Sequence, residues 1–113
     1  MGCLFCNIVS KKIPADVVYE DPHVLAFRDI RPVAPAHALV IPKVHLERVH
    51  EATGEHAALL GALLLGARAV AEQLGLGDSG YRLVINNGDD GGQTVFHLHV
   101  HVLGGRSLAW PPG

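Results

Sequence analysis

Residues 94–103 read TVFHLHVHVL, and no other stretch limits the fold as tightly. Apolar residues and histidines alternate along it with a period of two, the period of a β-strand. A strand over 94–103 puts His97, His99 and His101 on one face, flanked by Val95 and Leu103, and Phe96, Leu98, Val100 and Val102 on the other. The second face is wholly apolar and belongs in a core, packed under a helix. The first presents imidazoles. Alternate Cα atoms along a strand are about 7 Å apart, so the outer two histidines stand about 13 Å apart. One metal ion cannot readily take all three from a flat strand, although two neighbours could share one, as His-x-His pairs do in zinc enzymes. Otherwise the three act in series along a bound substrate, or form the polar face of an exposed strand.

The rest of the chain supplies a partner for that apolar face. Over 54–74, GEHAALLGALLLGARAVAEQL, apolar residues recur at helical spacing at Leu59, Leu60, Leu63, Leu64, Ala67, Val70, Ala71 and Leu74. Thr53 can cap its start, Glu55 sits in the first turn and Gly75 can stop it. The stripe is wide, so most of this helix is expected to be buried against a sheet or a second subunit. Short β-rich runs come before it at 16–20, 23–29 and 37–42, the last ended by Pro42. KVHLERVHE reads as a short helix or an irregular turn. One further strand is expected at 81–86, and the tail RSLAWPPG as extended chain. Strands, helix, strands is the order of an α+β fold with a mostly antiparallel sheet.

Length and composition narrow the function. With 113 residues the chain is read as one domain, 1–113. Hydrophobic residues make up 49% and charged residues 18%, which fits a packed core and opposes disorder. The net charge is −2 with histidines neutral, too little positive field for a nucleic-acid backbone. No apolar run reaches the length of a membrane span, since AALLGALLLGARAVA is broken by Gly61, Gly66 and Arg68. MGCLFCNIVSKK lacks the pattern of a secretory signal, and its Met-Gly-Cys opening has Cys6 where a myristoylation site has Ser or Thr. Two cysteines without an export signal point to a reducing compartment, the cytoplasm, and away from a structural disulfide.

Two constellations carry chemistry. The loop NNGDDGGQT leads into the histidines, and Gly88, Gly91 and Gly92 allow backbone N–H groups to line a concavity suited to phosphate oxygens. Asn86, Gln93 and Thr94 add neutral donors beside it. Such clusters are mostly ordinary turns, but this one opens onto an imidazole row. Neutral imidazole attacks phosphorus when one nitrogen is held as N–H and the other is free. His99, with a histidine on either side, is the natural nucleophile, and His101 or another nearby imidazole a donor to phosphate oxygens or an aid to the leaving group. The second constellation is Cys3-x-x-Cys6. With His45 and His97 it would complete a Cys2His2 zinc set, structural because all four ligands are protein groups; two small residues tucked into a core remain the alternative.

These residues resemble the histidine triad family. HLHVHVLGGR is similar to its signature, and GYRLVINNGDDGGQTVFHLHVHVLGGR with the ending WPPG looks like the histidine triad nucleotide-binding (Hint) branch. CLFCNIVSKKIPADVVYED and AFRDIRPVAPAHALVIPKVH resemble it too, so the likeness covers nearly the whole chain. It implies a five-stranded antiparallel sheet with one long helix and one short one, continued across a homodimer. It implies hydrolysis of purine nucleoside phosphoramidates and related acyl or aminoacyl adenylates, with His99 as nucleophile and His101 on the phosphate. His37 would support the catalytic histidine. Asn86, Gly92, Gln93 and Thr94 would contact phosphate and leaving group. Asp29 would hold the ribose hydroxyls, the usual task of a carboxylate at a nucleotide site, with Phe5, Ile8, Ile13, Phe27 and Ile30 around the base. Trp110 would help shape the partner's site. No cofactor is implied for catalysis; only some members carry the cysteine pair, and those often hold zinc on positions matching Cys3, Cys6, His45 and His97. Thr94 stands where many relatives have serine, which keeps the hydroxyl and adds a methyl. The rival readings are a regulatory nucleotide-binding or interaction module, a dinucleoside polyphosphate hydrolase or nucleotidyltransferase, and a metal-dependent hydrolase with the triad as ligands. No second acidic cluster follows the triad to favour the last.

Overall fold

A computed structural model describes residues 3–113; Met1 and Gly2, which open the Met-Gly-Cys start, lie outside the described residues. The fold is α+β, as expected. Five strands form one antiparallel sheet in the order β1-β2-β3-β5-β4, with β1 Val17–Glu20, β2 Val24–Arg28, β3 Ala36–Pro42, β4 Tyr81–Val84 and β5 Val100–Gly104. Two helices flank it, α1 Leu4–Val9 and α2 Ala57–Gln73. Short 3-10 turns occupy Val49–Glu51, inside KVHLERVHE, and Gly54–His56.

The sheet is covered on both faces, and its central strands show it. Val24, Leu25, Ala26 and Phe27 of β2 are all buried, as are residues 37–42 of β3, so the alternation expected of a one-sided sheet is absent there. One face packs Val24, Ala26, Ala38, Val40, Val100 and Val102 against Leu63, Ala67, Val70 and Ala71 of α2. Gly66 permits the close approach, since a Cβ there would stand 2.9 Å from Val24 Cγ2. The other face packs Leu25, Phe27, Leu39 and Ile41 against Phe5 and Ile8 of α1.

The ends of the helical stretch 54–73, the 3-10 turn Gly54–His56 running into α2, follow from its sequence. Thr53 accepts the N–H of Glu55, and the N–H of Thr53 donates to His56 Nδ1, which closes a capping box. At the other end Gly75 takes φ +75°, its N–H donates to Glu72 O at 3.1 Å, and the N–H of Leu76 donates to Ala71 O at 2.9 Å. That pair of bonds is a Schellman motif, which needs a left-handed residue where Gly75 stands. Leu64 and Leu65 lie on the uncovered side, 51% and 69% exposed, so within one chain the apolar stripe is only half used. Together with the preceding turn, Gly54–Gln73 makes 20 helical residues that hold an 18-residue window of mean hydropathy 1.2, long and apolar enough to cross a membrane by length and composition, where the sequence alone suggests no run of that length. In this fold its inner side is the main core.

Two further expectations need correction. The strand expected over 94–103 starts at Val100, because residues 95–97 bend. Phe96 therefore leaves the apolar face and is 40% exposed, whereas Leu98, Val100 and Val102 reach the core under α2 as expected. One short helix was expected beside the long one; KVHLERVHE, read as a short helix or an irregular turn, holds a 3-10 turn, and no local pattern marked the position of α1.

Candidate active site

His101 sits on β5, opposite Leu39 of β3, and His37 of β3 lies opposite Leu103. His97 and His99 precede the strand, held there by a bond from the Leu98 N–H to Leu46 O at 2.7 Å. The three histidines of the row separate into two sites at this bend.

His97 turns to the N-terminal helix. It is fully buried, and its Nε2–H donates to Pro42 O at 2.9 Å, which leaves Nδ1 as a lone pair. That nitrogen stands 3.2 Å from Cys3 Sγ, 3.5 Å from Cys6 Sγ and 3.2 Å from His45 Nδ1, and Cys6 Sγ is 3.4 Å from His45 Nδ1. A tetrahedron built on metal bonds of about 2.0–2.3 Å has edges of roughly 3.3–3.8 Å. The donor set fits a metal ion in size and chemistry, and the four ligand atoms lie within 4.8 Å of one another. A second-sphere carbonyl that fixes the imidazole tautomer is the usual companion of such a ligand. Cys3 and Cys6 are free thiols, and burial, then the neighbouring Cys3, raises the Cys6 value above the ordinary thiol range. Cys3 also caps α1, accepting the Cys6 N–H through sulfur.

His99 turns the other way, into a cleft. Its Nδ1 is 2.8 Å from His97 O, a group that can only accept, so Nδ1 carries the proton and Nε2 is a free lone pair. Phe5 packs edge-on against its ring at a centroid distance of 5.3 Å. Burial is the main cause of a His99 pKa below the usual histidine value, which keeps the ring neutral near pH 7.

A chain of hydrogen bonds sets the tautomer of His101. The Val33 N–H donates to His37 Nδ1 at 3.1 Å, so the His37 proton is on Nε2. That Nε2 is 2.9 Å from His101 Nδ1 and 3.4 Å from Asp29 Oδ2. Donation to His101 Nδ1 leaves the His101 proton on Nε2. Burial, and then the neighbouring His99 and His37, hold the His101 pKa down at about 4, and burial also lowers that of His37 against the opposing pull of Asp29. His99 thus offers a lone pair where His101 offers an N–H. Asp29, His37 and His101 also come within 4.8 Å of one another. The His37 proton lies inside that trio, which makes it a hydrogen-bonded relay and not an open ligand set.

Two clefts meet at these groups. The first, of about 290 Å³, is mostly apolar and is lined by Phe5, Ile8, Ile13, Phe27, Ile30, Asp29, Thr94, His99 and His101. Every residue expected around a base is among them, although Ile30 is 92% exposed at the rim. The second, of about 380 Å³, is more open and is lined by Asp29, His37, Asn86, Thr94 and His101 together with Arg31, Val33, Val84 and Leu103. The last four were missed. The only trace of Arg31 in the sequence is its place two residues after Asp29, where its N–H donates to Asp29 Oδ1 at 2.8 Å.

The loop behaves differently from the reading of its glycines. The Gly92 N–H donates to Asp89 O, the Gln93 N–H to Gly88 O, and the Gly88 N–H to Gln93 Oε1. These amides close the loop on itself and do not face the clefts. Gln93 is 6% exposed, and its Nε2 donates to Glu47 O and Val95 O, so its carboxamide braces the loop instead of reaching a ligand. Of the Gly92-Gln93-Thr94 run, Thr94 alone lines both clefts. Trp110 lines neither; it is 80% exposed, with the Arg82 guanidinium 5.9 Å from its ring centroid.

An imidazole row at the end of a five-stranded antiparallel sheet, backed by one long helix, defines a class. The family model described as HIT domain matches residues 10–108, and the chain belongs to the HIT domain family. It is 62% identical over 110 residues to an uncharacterised HIT-like protein of Synechococcus elongatus, covering 97% of this chain and 96% of that protein. Among solved structures it resembles a HIT family hydrolase from Legionella pneumophila, with a TM-score of 0.96, 50% identity and coverage of 99% and 100% of the two chains. A histidine triad nucleotide-binding protein from Candida albicans aligns with a TM-score of 0.83 and 30% identity over 97% of this chain and 83% of its own.

Proposed function

We propose that this protein is a purine nucleoside phosphoramidase of the Hint branch, which also opens related acyl adenylates through the same nucleotidyl-histidine. The observation that carries the reading is the bond from His99 Nδ1–H to His97 O, which leaves Nε2 as a neutral nucleophile at the edge of an apolar cleft. The base lies in that cleft against Phe5, Ile8, Ile13, Phe27 and Ile30, and Asp29 takes the ribose hydroxyls. The phosphate stands where the two clefts meet, with Thr94 and His101 beside it; Asn86 reaches it from the second cleft, while Gly92 and Gln93 act by shaping the loop. The names of the Legionella and Candida proteins, a hydrolase and a nucleotide-binding protein, point the same way.

His99 Nε2 forms a bond to phosphorus, and the P–N bond breaks with its electron pair going to nitrogen. The amine leaves after taking a proton from water in the open second cleft. Water then attacks phosphorus, the bond to Nε2 breaks, and the nucleoside monophosphate and a proton are released. His101 remains neutral throughout and donates Nε2–H to a phosphate oxygen, so it stabilises charge without acting as an acid. His37 holds it in that tautomer. Chemistry of this kind needs no cofactor. Zinc on Cys3, Cys6, His45 and His97 would be structural, fixing α1 and through it one wall of the cleft. Such free thiols suit a reducing compartment such as the cytoplasm. A homodimer joined along β4 would cover Leu64, Leu65 and Leu83 and bring Trp110 to the partner's site.

The test is His99→Ala. Turnover of an adenosine phosphoramidate should fall below detection, while calorimetric binding of AMP stays within a few-fold. Undiminished turnover would refute the nucleophile. AMP binding without turnover by the unmodified protein would instead support a binding module.

A further inference from the structure

The second cleft holds a cation with no partner. Among the described residues, Arg28 pairs with Asp16, Arg48 pairs with Glu51, and Arg82 and Arg106 donate to backbone carbonyls. The Arg31 and Arg68 guanidinium groups have neither kind of contact there, and of the two Arg31 lines the cleft. The only carboxylate among the lining residues is Asp29, whose oxygens face the Arg31 backbone N–H and His37 Nε2.

The two clefts share Asp29, Thr94 and His101, whereas His99 belongs to the first alone. A nucleophile and its leaving group lie roughly in line across phosphorus. With phosphorus at the junction and His99 on one side, the departing nitrogen points into the second cleft. Val33, Val84 and Leu103 there offer an apolar wall for a short carbon stem, and Arg31 lines the same cleft. A planar guanidinium matches a carboxylate with two parallel N–H···O bonds, and repels an ammonium.

We infer that the second cleft is a leaving-group subsite in which Arg31 selects amines bearing a carboxylate. The inference rests on the phosphoramidase reading. It ranks leaving groups: an amine with a carboxylate one or two carbons from nitrogen first, its neutral carboxamide next, and a group carrying a second ammonium last. Aminoacyl adenylates, whose departing group carries an ammonium, fall in the last class.

The experiment compares kcat/KM for adenosine 5′-phosphoramidates of β-alanine, of β-alaninamide and of ethylenediamine. Because Arg31 is exposed, the carboxylate should be favoured over the carboxamide by about 2- to 5-fold at low salt, the effect of a solvent-exposed ion pair. The preference should shrink at high ionic strength. Arg31→Gln should bring the ratio to about one, Arg31→Lys should keep part of it, and Arg31→Glu should reverse the order in favour of ethylenediamine. Equal turnover of carboxylate and carboxamide, or a ratio unchanged in Arg31→Gln, overturns the selection by Arg31 and leaves the phosphoramidase reading standing. No turnover of any of the three overturns both.

Discussion

Two imidazoles two residues apart have opposite protonation patterns, and each pattern has a named cause. His99 carries its proton on Nδ1 because a carbonyl faces that nitrogen; His101 carries its proton on Nε2 because a relay from the Val33 N–H ends on its Nδ1. His99 is buried and His101 half-buried, and desolvation holds both pKa values below the usual 6.5, so both rings are neutral at pH 7. If His99 attacks as proposed it must be unprotonated, so the acid limb of kcat/KM should be centred below pH 6.5. An acid limb centred at or above 6.5 would contradict the assignment. Gln93 makes a separate point about the loop. Replacing it with leucine orphans the Gly88 N–H and two carbonyls, at about 1–3 kcal/mol for each group left unsatisfied. Thermal unfolding of Gln93→Leu should show a Tm lower by at least about 12 °C, and full retention of Tm would mean that water replaces the carboxamide.

At the scale of elements, α1 is the least self-sufficient part of the fold. Six residues do not hold a helix in water; this one is held by Phe5 and Ile8 in the sheet and by the ring of Cys3, Cys6, His45 and His97. Zinc should therefore bind once per chain and raise Tm, and Cys3→Ser with Cys6→Ser should abolish both effects in a zinc titration followed by calorimetry. The same element explains what the sequence left hidden. Its apolar pattern is too short for a period to emerge, and its cap is a cysteine, which sequence rules do not read as one. By contrast α2 was legible end to end, because Thr53, Gly75 and the stripe between them all agree. The histidine row was legible as a set of chemical groups but not as geometry: the bend at 95–97 breaks the period-two reading, exposes Phe96 and sends His97 to a different site from His99. Asp29, Phe27, Ile30 and the other residues around the first cleft were placed by family likeness, and no local pattern would have gathered them. Arg31 carried no signal beyond its place two residues after Asp29.

For the whole molecule, neutral, largely desolvated histidines make stability depend on pH in one direction. His37, His99 and His101 have lower pKa values folded than unfolded, so on acidification the unfolded chain takes up protons first. Their contribution is complete above about 6.5 and is lost as pH falls toward the folded values, about 4 for His101. Tm measured in chelator, to keep metal from the Cys3 cluster, should drop between pH 7.5 and pH 5. The proposed dimer along β4 makes a second prediction at this scale: Leu83→Lys should halve the mass seen by light scattering, since Leu83 is 37% exposed on an edge strand. The two tautomers also differ in how far across the molecule they are written. That of His99 depends on a contact spanning two residues, so it travels with its own peptide and survives change elsewhere. That of His101 begins at a loop amide 68 positions away in the chain and passes through a second side chain. Under mutational drift the proposed nucleophile is therefore the robust half of the pair and its neighbour the fragile half, and a copy of this fold that loses its chemistry would be expected to lose it first through the 33–37 segment.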